Sequence, residues 1–384
     1  MSKTMKIENK TSNSAKTEDF LPIQSVDFVE FYVGNAKQAA HFYQSAFGFT
    51  QVARAGLETG VRDRVSYVVR QGHITFVLTS PLTSEGEVAE HVRIHGDGVK
   101  DICFRVTDVD QTFKTVNERG ATPVLAPTTY QDETGSVRKA SIAAYGDTTH
   151  SFITRTDYVG PFLPGFKLLP GYNPESVKPA NGAGLAAIDH IVSNVGWGEM
   201  NSVVEFYRQV LGFHQLVHYD DKDISTEFSA LMSKVMTNGT GTIKMPINEP
   251  AQGRKKSQIE EYLDYYGGPG VQHIALATGN ILKTVEALRA QGVDFISVPE
   301  SYYEELESRI GHIKEDFAEV RRLGLLVDRD DEGYLLQIFT RPLQDRPTFF
   351  IEIIQRRHAR SFGKGNFKAL FEAIERDQEL RGNL

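Results

Sequence analysis

IDHIVSNVGWGEMNSVVEFYRQVLGFHQLVH, residues 188–218, repeats in outline an earlier stretch, VDFVEFYVGNAKQAAHFYQSAFGFTQVAR, residues 26–54. Both read as a strand, a polar turn, an amphipathic helix containing Phe-Tyr, then Gly-Phe and a second strand. Each glycine stands where a helix end favours a left-handed cap. A second pair follows. GDGVKDICFRVTDVDQTFKTVNERGATPV, from Gly96, parallels GGPGVQHIALATGNILKTVEALRAQGVDFI, from Gly267. Each half of the chain therefore holds two strand-helix-strand units, and the halves repeat each other. The Gly/Pro-rich stretch 160–184 reads as the boundary.

The composition sets the outer limits. The chain has 384 residues, a formal charge of −8 and 40% apolar residues, which suits a soluble two-domain protein. Mild acidity gives no footprint for nucleic acid or an anionic membrane. No window reaches the roughly 18–20 apolar residues of a membrane span. The polar start reads as a disordered tail over residues 1–20, without the apolar core of a secretory signal. The lone Cys103 excludes an internal disulfide and a multi-thiolate metal site. The expected setting is cytoplasmic.

The repeat singles out two histidines. His190 in AIDHIVSNV aligns with Phe28 in SVDFVEFYV, and His273 in GVQHIALAT aligns with Asp101 in GVKDICFRV. The paired half dispenses with histidine at both places, so structure alone does not demand it. Two imidazoles suit a divalent transition ion but need a third ligand. Glu352, inside the β-rich run TFFIEIIQRR, supplies a carboxylate where an unpaired buried charge would cost several kcal/mol, about 2–7 for a polar group alone. The matching first-half stretch THSFITRT has no carboxylate at its centre; Ile153 or a neighbour stands there.

Strand alternation puts Glu352 with Phe350 and Ile354, His273 with Val271 and Ala275, and His190 with Ile188 and Val192. All three can then face one cavity, as the two-histidine, one-carboxylate triad of non-haem Fe(II) enzymes. The plainer alternatives are hydrogen-bonded core histidines and a glutamate paired with Arg356 or Arg357. His214, His218 and His312 read as surface or packing residues, and His358 as exposed.

The second half resembles the catalytic domain of the 4-hydroxyphenylpyruvate dioxygenase family, in the vicinal-oxygen-chelate superfamily. The resemblance rests on IDHIVSNV, on IKMPINEPAQGRKKSQIEEYLDYYGGPGVQHIALAT, on GYLLQIFTRPLQDRPTFFIEIIQRR and on SFGKGNFKALFEAIERDQELRGNL. It spans almost everything after the tail. It implies an α+β fold of two domains, each of paired βαβββ modules forming half-open barrels, with a C-terminal lid helix. Residues 21–160 would form a metal-free structural and oligomerisation domain, 161–184 a linker, and 185–384 the catalytic domain. It implies one Fe(II) per chain on His190, His273 and Glu352. The substrates would be 4-hydroxyphenylpyruvate and O2, giving homogentisate and CO2 in tyrosine and phenylalanine catabolism, in a homodimer or homotetramer.

Pocket residues follow from both sources. Phe350 shares the face of Glu352, and Phe339 shares a face with Gln337; the resemblance makes the two phenylalanines the stacking pair for a substrate ring. It also places Ser233, Asn248, Gln258 and Gln272 around substrate, with Phe362 and Phe367 near the mouth under the lid. Gln272 neighbours His273, so strict alternation sends it to the opposite face unless the strand is distorted. The two glycines of SFGKGN read as a hinge. Three rivals are weighed, the first being an extradiol catechol dioxygenase, which shares fold and triad but needs an acid-base histidine near the metal for which the sequence offers no good candidate. A 4-hydroxymandelate synthase shares substrate and iron but oxidises the benzylic carbon, and carries a smaller aliphatic residue in place of Phe367. A metal-free binding module of the same fold would take up no iron.

Overall fold

The computed structural model describes residues 19–168, 182–220, 226 and 228–383. Most of the expected tail and most of the expected linker lie outside these residues.

Nine strands form the first sheet: β1 Ser25–Tyr32, β2 Thr50–Ala55, β3 Arg64–Gln71, β4 Ile74–Pro81, β5 Gly98–Arg105, β6 Pro123–Asp132, β7 Gly135–Ala143, β8 Thr149–Thr154 and β9 Lys167–Leu168. Eight form the second: β10 Leu185–Asn194, β11 His214–Tyr219, β12 Ala230–Thr237, β13 Lys244–Ala251, β14 Gly270–Thr278, β15 Leu326–Arg329, β16 Tyr334–Phe339 and β17 Phe350–Arg357. The spatial orders are β6-β7-β8-β5-β1-β4-β3-β2-β9 and β11-β12-β13-β10-β14-β17-β16-β15. Apart from the short β9, the two orders match, with sequence direction reversed in the listing. Each sheet is two βαβββ modules joined back to back, through the antiparallel pairs β1–β5 and β10–β14.

Helices α1 Ala36–Phe47, α2 Glu87–His95 and α3 Val109–Glu118 serve the first half; α4 Met200–Leu211, α5 Gln258–Tyr266 and α6 Ile281–Ala290 serve the second. Asn35 and Asn280 cap α1 and α6 by accepting from backbone N–H groups three residues on. Gly48 and Gly212 close α1 and α4 at φ 72° and 69°, the left-handed turn that the repeated glycine announced.

The halves share one core. Phe31 of β1 meets Phe349 edge-on at 5.2 Å, Ser193 Oγ donates to Tyr145 Oη at 2.5 Å, and His150 Nε2 lies 2.8 Å from Tyr207 Oη. The start of the expected linker belongs to the first half. Phe162 is buried edge-on against Phe28 at 5.1 Å, and Lys167–Leu168 pairs with β2. The segment after 160 is held because its aromatic residues complete that sheet's buried face.

The entrance to β14 is tightly fitted. A Cβ on Gly270 would lie 2.4 Å from Tyr262 Oη and 2.4 Å from Tyr266 Cε1, while Tyr262 Oη donates to the Val271 carbonyl at 3.1 Å. Gly270→Ala is expected to destabilise the protein by about 1–3 kcal/mol through overpacking. Urea denaturation reads this as a lowered midpoint; an unchanged midpoint would mean that the tyrosines yield without cost.

Candidate metal centre

Ala275 explains why three distant side chains meet. It pairs with His190 across β10 and with Glu352 across β17. Ala275 thus sits between the two in the sheet, and its short side chain occupies little of the space between their longer ones. His273, two residues earlier on β14, completes the ring. His190 Nε2 lies 3.1 Å and His273 Nε2 3.4 Å from Glu352 Oε2, and all three groups are buried.

The ladder between β10 and β14 slips at three points, and two of these slips leave Asp189 and Gln272 without a direct partner. Each bulge turns a residue toward the histidine that follows it. Asp189 Oδ1 lies 2.8 Å from His190 Nδ1, and Gln272 Oε1 lies 3.1 Å from His273 Nδ1. A carboxylate and an amide oxygen can only accept, so both Nδ1 atoms carry the proton and both Nε2 lone pairs point at Glu352. The bulges also correct the alternation pattern. Val271 and Ile188 pack toward the hydrophobic core, whereas Gln272 joins the cavity.

Two lone pairs thus face a carboxylate, and Glu352 Oε1 is buried with no hydrogen-bond partner. Acceptors gathered in this way call for a cation. Burial works to raise the Glu352 pKa, but the facing imidazoles outweigh it and hold the carboxyl at about 2. Burial disfavours charge on His190, yet Glu352 and Asp189 overcome this and raise its pKa. For His273 burial wins and the pKa falls. A proton on His190 and a divalent ion are alternative ways to neutralise the same carboxylate. The donor set fits a divalent transition ion, with open coordination positions toward the cavity.

Neither arginine pairs with Glu352. Arg356 forks onto Asp189, with Nε–Oδ2 at 2.7 Å and Nη2–Oδ1 at 2.8 Å, and lies over the Phe362 ring, which meets His190 edge-on at 5.3 Å. Arg357 pairs with Glu315. His214, His218, His312 and His358 are exposed.

The first half keeps the frame without the ligands. Its ladder slips at Asp27 and Lys100, Arg155 holds Asp27, and Phe28 stands in place of His190. Asp101, aligned with His273, pairs with Lys139 at 3.4 Å. Burial opposes the Lys139 charge, but Asp101 and its neighbours raise the pKa. The register aligns Ser151, not Ile153, with Glu352: Asp101 pairs with Thr149 as His273 pairs with Phe350. An ammonium here meets the buried carboxylate directly, whereas Glu352 faces two imidazoles.

One cavity in the second half is lined by all twelve residues singled out from the sequence: His190, His273 and Glu352, with Ser233, Asn248, Gln258, Gln272, Gln337, Phe339, Phe350, Phe362 and Phe367. Ser233 and Asn248 face each other across β12 and β13. Gln258 opens α5 behind its Ser257 cap. Phe350 stacks on His273 at 4.7 Å, and Phe339 meets Phe350 at 75°, so the two rings form a corner. The helix Phe367–Leu380 covers the cavity with Leu370, Phe371 and Ile374, residues that helical spacing marks as apolar but does not aim. The expected hinge has a different use. Gly363, at φ 77°, brings its backbone against Gln337, where a Cβ would sit 2.5 Å from Nε2. A Cβ on Gly365 would strike Asp328.

Residues 187–338 match the Glyoxalase/Bleomycin resistance protein/Dioxygenase superfamily, and fold and site together define a vicinal-oxygen-chelate protein. Residues 18–159 match "Hydroxyphenylpyruvate dioxygenase, HPPD, N-terminal". The chain is 50% identical over 376 residues to 4-hydroxyphenylpyruvate dioxygenase of Aspergillus fumigatus, covering 93% of each chain. It is 52% identical over 365 residues to that of Danio rerio, covering 93% of this chain and 91% of the relative. A triple mutant of 4-hydroxymandelate synthase from Streptomyces coelicolor superposes with a TM-score of 0.83 at 32% identity, covering 93% of this chain and 100% of that one. The chain belongs to the 4-hydroxyphenylpyruvate dioxygenase family.

Asp189→Asn keeps the shape but removes the charge that holds His190 and Arg356. Affinity for a divalent ion is expected to fall about 10–100-fold, measured by competition with a chelator. An unchanged affinity would remove Asp189 from the account of how His190 is held.

Proposed function

We infer that the chain converts 4-hydroxyphenylpyruvate and O2 to homogentisate and CO2, with one Fe(II) held by His190, His273 and Glu352. The observation that carries this is the convergence of two imidazole lone pairs on a buried carboxylate with an unpartnered oxygen. When bound, ferrous ion supplies O2 activation and a point of chelation for a 2-oxo acid.

The chain's own residues hold and enclose. Phe339 and Phe350 offer apolar walls to an aromatic ring. Ser233, Asn248, Gln258, Gln272 and Gln337 offer neutral hydrogen-bonding groups to the substrate's oxygens. Among the described residues, the ionisable side chains lining the cavity are the three ligands and the phenol of Tyr219. The protein's share is therefore orientation and exclusion of water, without a strong general base. Phe362 and the C-terminal helix, beginning with Phe367, close the cavity over the reacting groups. Phe367 meets Tyr219 edge-on at 5.0 Å, and its bulk favours attack on the ring over the benzylic carbon. The reading also includes a cytoplasmic location and assembly as a dimer or tetramer through residues 21–160, which sedimentation of the native protein checks.

Product chromatography after incubation with Fe(II), 4-hydroxyphenylpyruvate and O2 is expected to show homogentisate; 4-hydroxymandelate instead would favour the rival synthase. Glu352→Ala is expected to lower turnover on the order of 10³-fold, since a catalytic metal contributes several kcal/mol. Retained turnover would mean that the wrong carboxylate has been chosen. Phe367→Ile is expected to raise the share of benzylic product, and an unaltered product ratio would dismiss the role given to that ring.

A further inference from the structure

Among the described residues, two trios of metal-ligand type have donor atoms mutually within 4.8 Å. One is the centre described above. The other is His91, His95 and Asp147, in the half that lacks the first trio's ligands. His91 and His95 lie one turn apart on α2 and share a face. Asp147 comes from the turn joining β7 to β8. Its Oδ2 lies 2.7 Å from His91 Nδ1, within hydrogen-bond reach, and 3.5 Å from His95 Nε2, against 3.1 and 3.4 Å around Glu352.

Tautomer logic applies here too. His95 Nδ1 lies 2.6 Å from the Tyr266 carbonyl and must donate to it, so the lone pair on Nε2 faces Asp147. His91 Nδ1 donates its proton to Asp147 Oδ2 at 2.7 Å, and a cation taking that oxygen displaces the proton; His91 is 3% exposed, and its Nε2 is buried with no partner, as is Asp147 Oδ1. The Asp147 side chain is 31% exposed, which leaves an approach from solvent. Lys100 is the neighbouring cation. Its Nζ donates to the Asp147 carbonyl at 2.7 Å and lies 3.5 Å from Asp147 Oδ2 and 3.3 Å from Glu87, so it keeps the carbonyl and a second carboxylate when another cation takes Asp147 Oδ2.

We propose that His91, His95 and Asp147 form a second metal site, for a borderline divalent ion such as zinc. Two imidazoles and a carboxylate leave a fourth position for water, a donor set that suits zinc. The site joins the halves: the His95 ring stacks on Tyr266 at 4.4 Å, and Tyr266 ends α5 just before the strand that carries His273. Occupancy would tie α2 to that junction.

The test is zinc titration of iron-loaded protein by equilibrium dialysis, with iron and zinc both quantified. Wild type is expected to take up one zinc per chain while keeping its iron. The double variant His91→Gln, His95→Gln is expected to take up none while retaining turnover, which also shows that it folds. X-ray absorption at the zinc edge of the wild type, which needs no variant, is expected to report imidazole scatterers. Absence of zinc uptake, uptake undiminished in the variant, or a shell without imidazole would overturn the proposal. Failure to load iron is a separate outcome and bears only on the first centre.

Discussion

The Asp189–Arg356 fork is the contact on which the candidate centre depends. The guanidinium neutralises a buried carboxylate, and that carboxylate keeps the His190 proton on Nδ1. Burial acts to raise the Asp189 pKa, but Arg356 and His190 hold it well below the ordinary range. The carboxylate therefore stays charged. Arg356 also donates to the Ser361 carbonyl at 2.6 Å and lies over Phe362, so one ion pair fixes a ligand's tautomer and anchors the chain leading to the covering helix. An isolated buried ion pair is a weak source of stability; here its value is orientational.

Comparison of the halves separates scaffold from chemistry. Both sheets keep the bulge, the aspartate-arginine pair and a phenylalanine under the guanidinium. The groups above that frame differ: Phe28, Asp101 and Ser151 in one half, His190, His273 and Glu352 in the other. The frame is thus a property of the fold, and the candidate ligand set rests on three positions at which the halves differ.

The module pattern and the trio of side chains that meets in the second half were legible because the chain carries its own comparison. His190 and His273 stand out against Phe28 and Asp101, and Glu352 stands out inside an apolar run. Period-two alternation then misplaced Val271 and Ile188, since a bulge shifts the faces and leaves no mark in periodicity. Asp189 was overlooked as the partner of His190, although an aspartate precedes both Phe28 and His190 and the repeat offered that signal. The extent of the linker was misjudged at its start because Phe162 and Phe166 look like loop aromatics until the sheet they cover is known. The glycines of SFGKGN suggested freedom, whereas close approach to Gln337 and Asp328 is what excludes a side chain there.

That approach has a mechanical result. The amide of Gln337 lies in the cavity wall, and the backbone at Gly363 rests directly on it, four residues before the covering helix begins. The polar wall of the cavity and the segment leading into its covering helix therefore abut, and only a residue without a side chain fits between them.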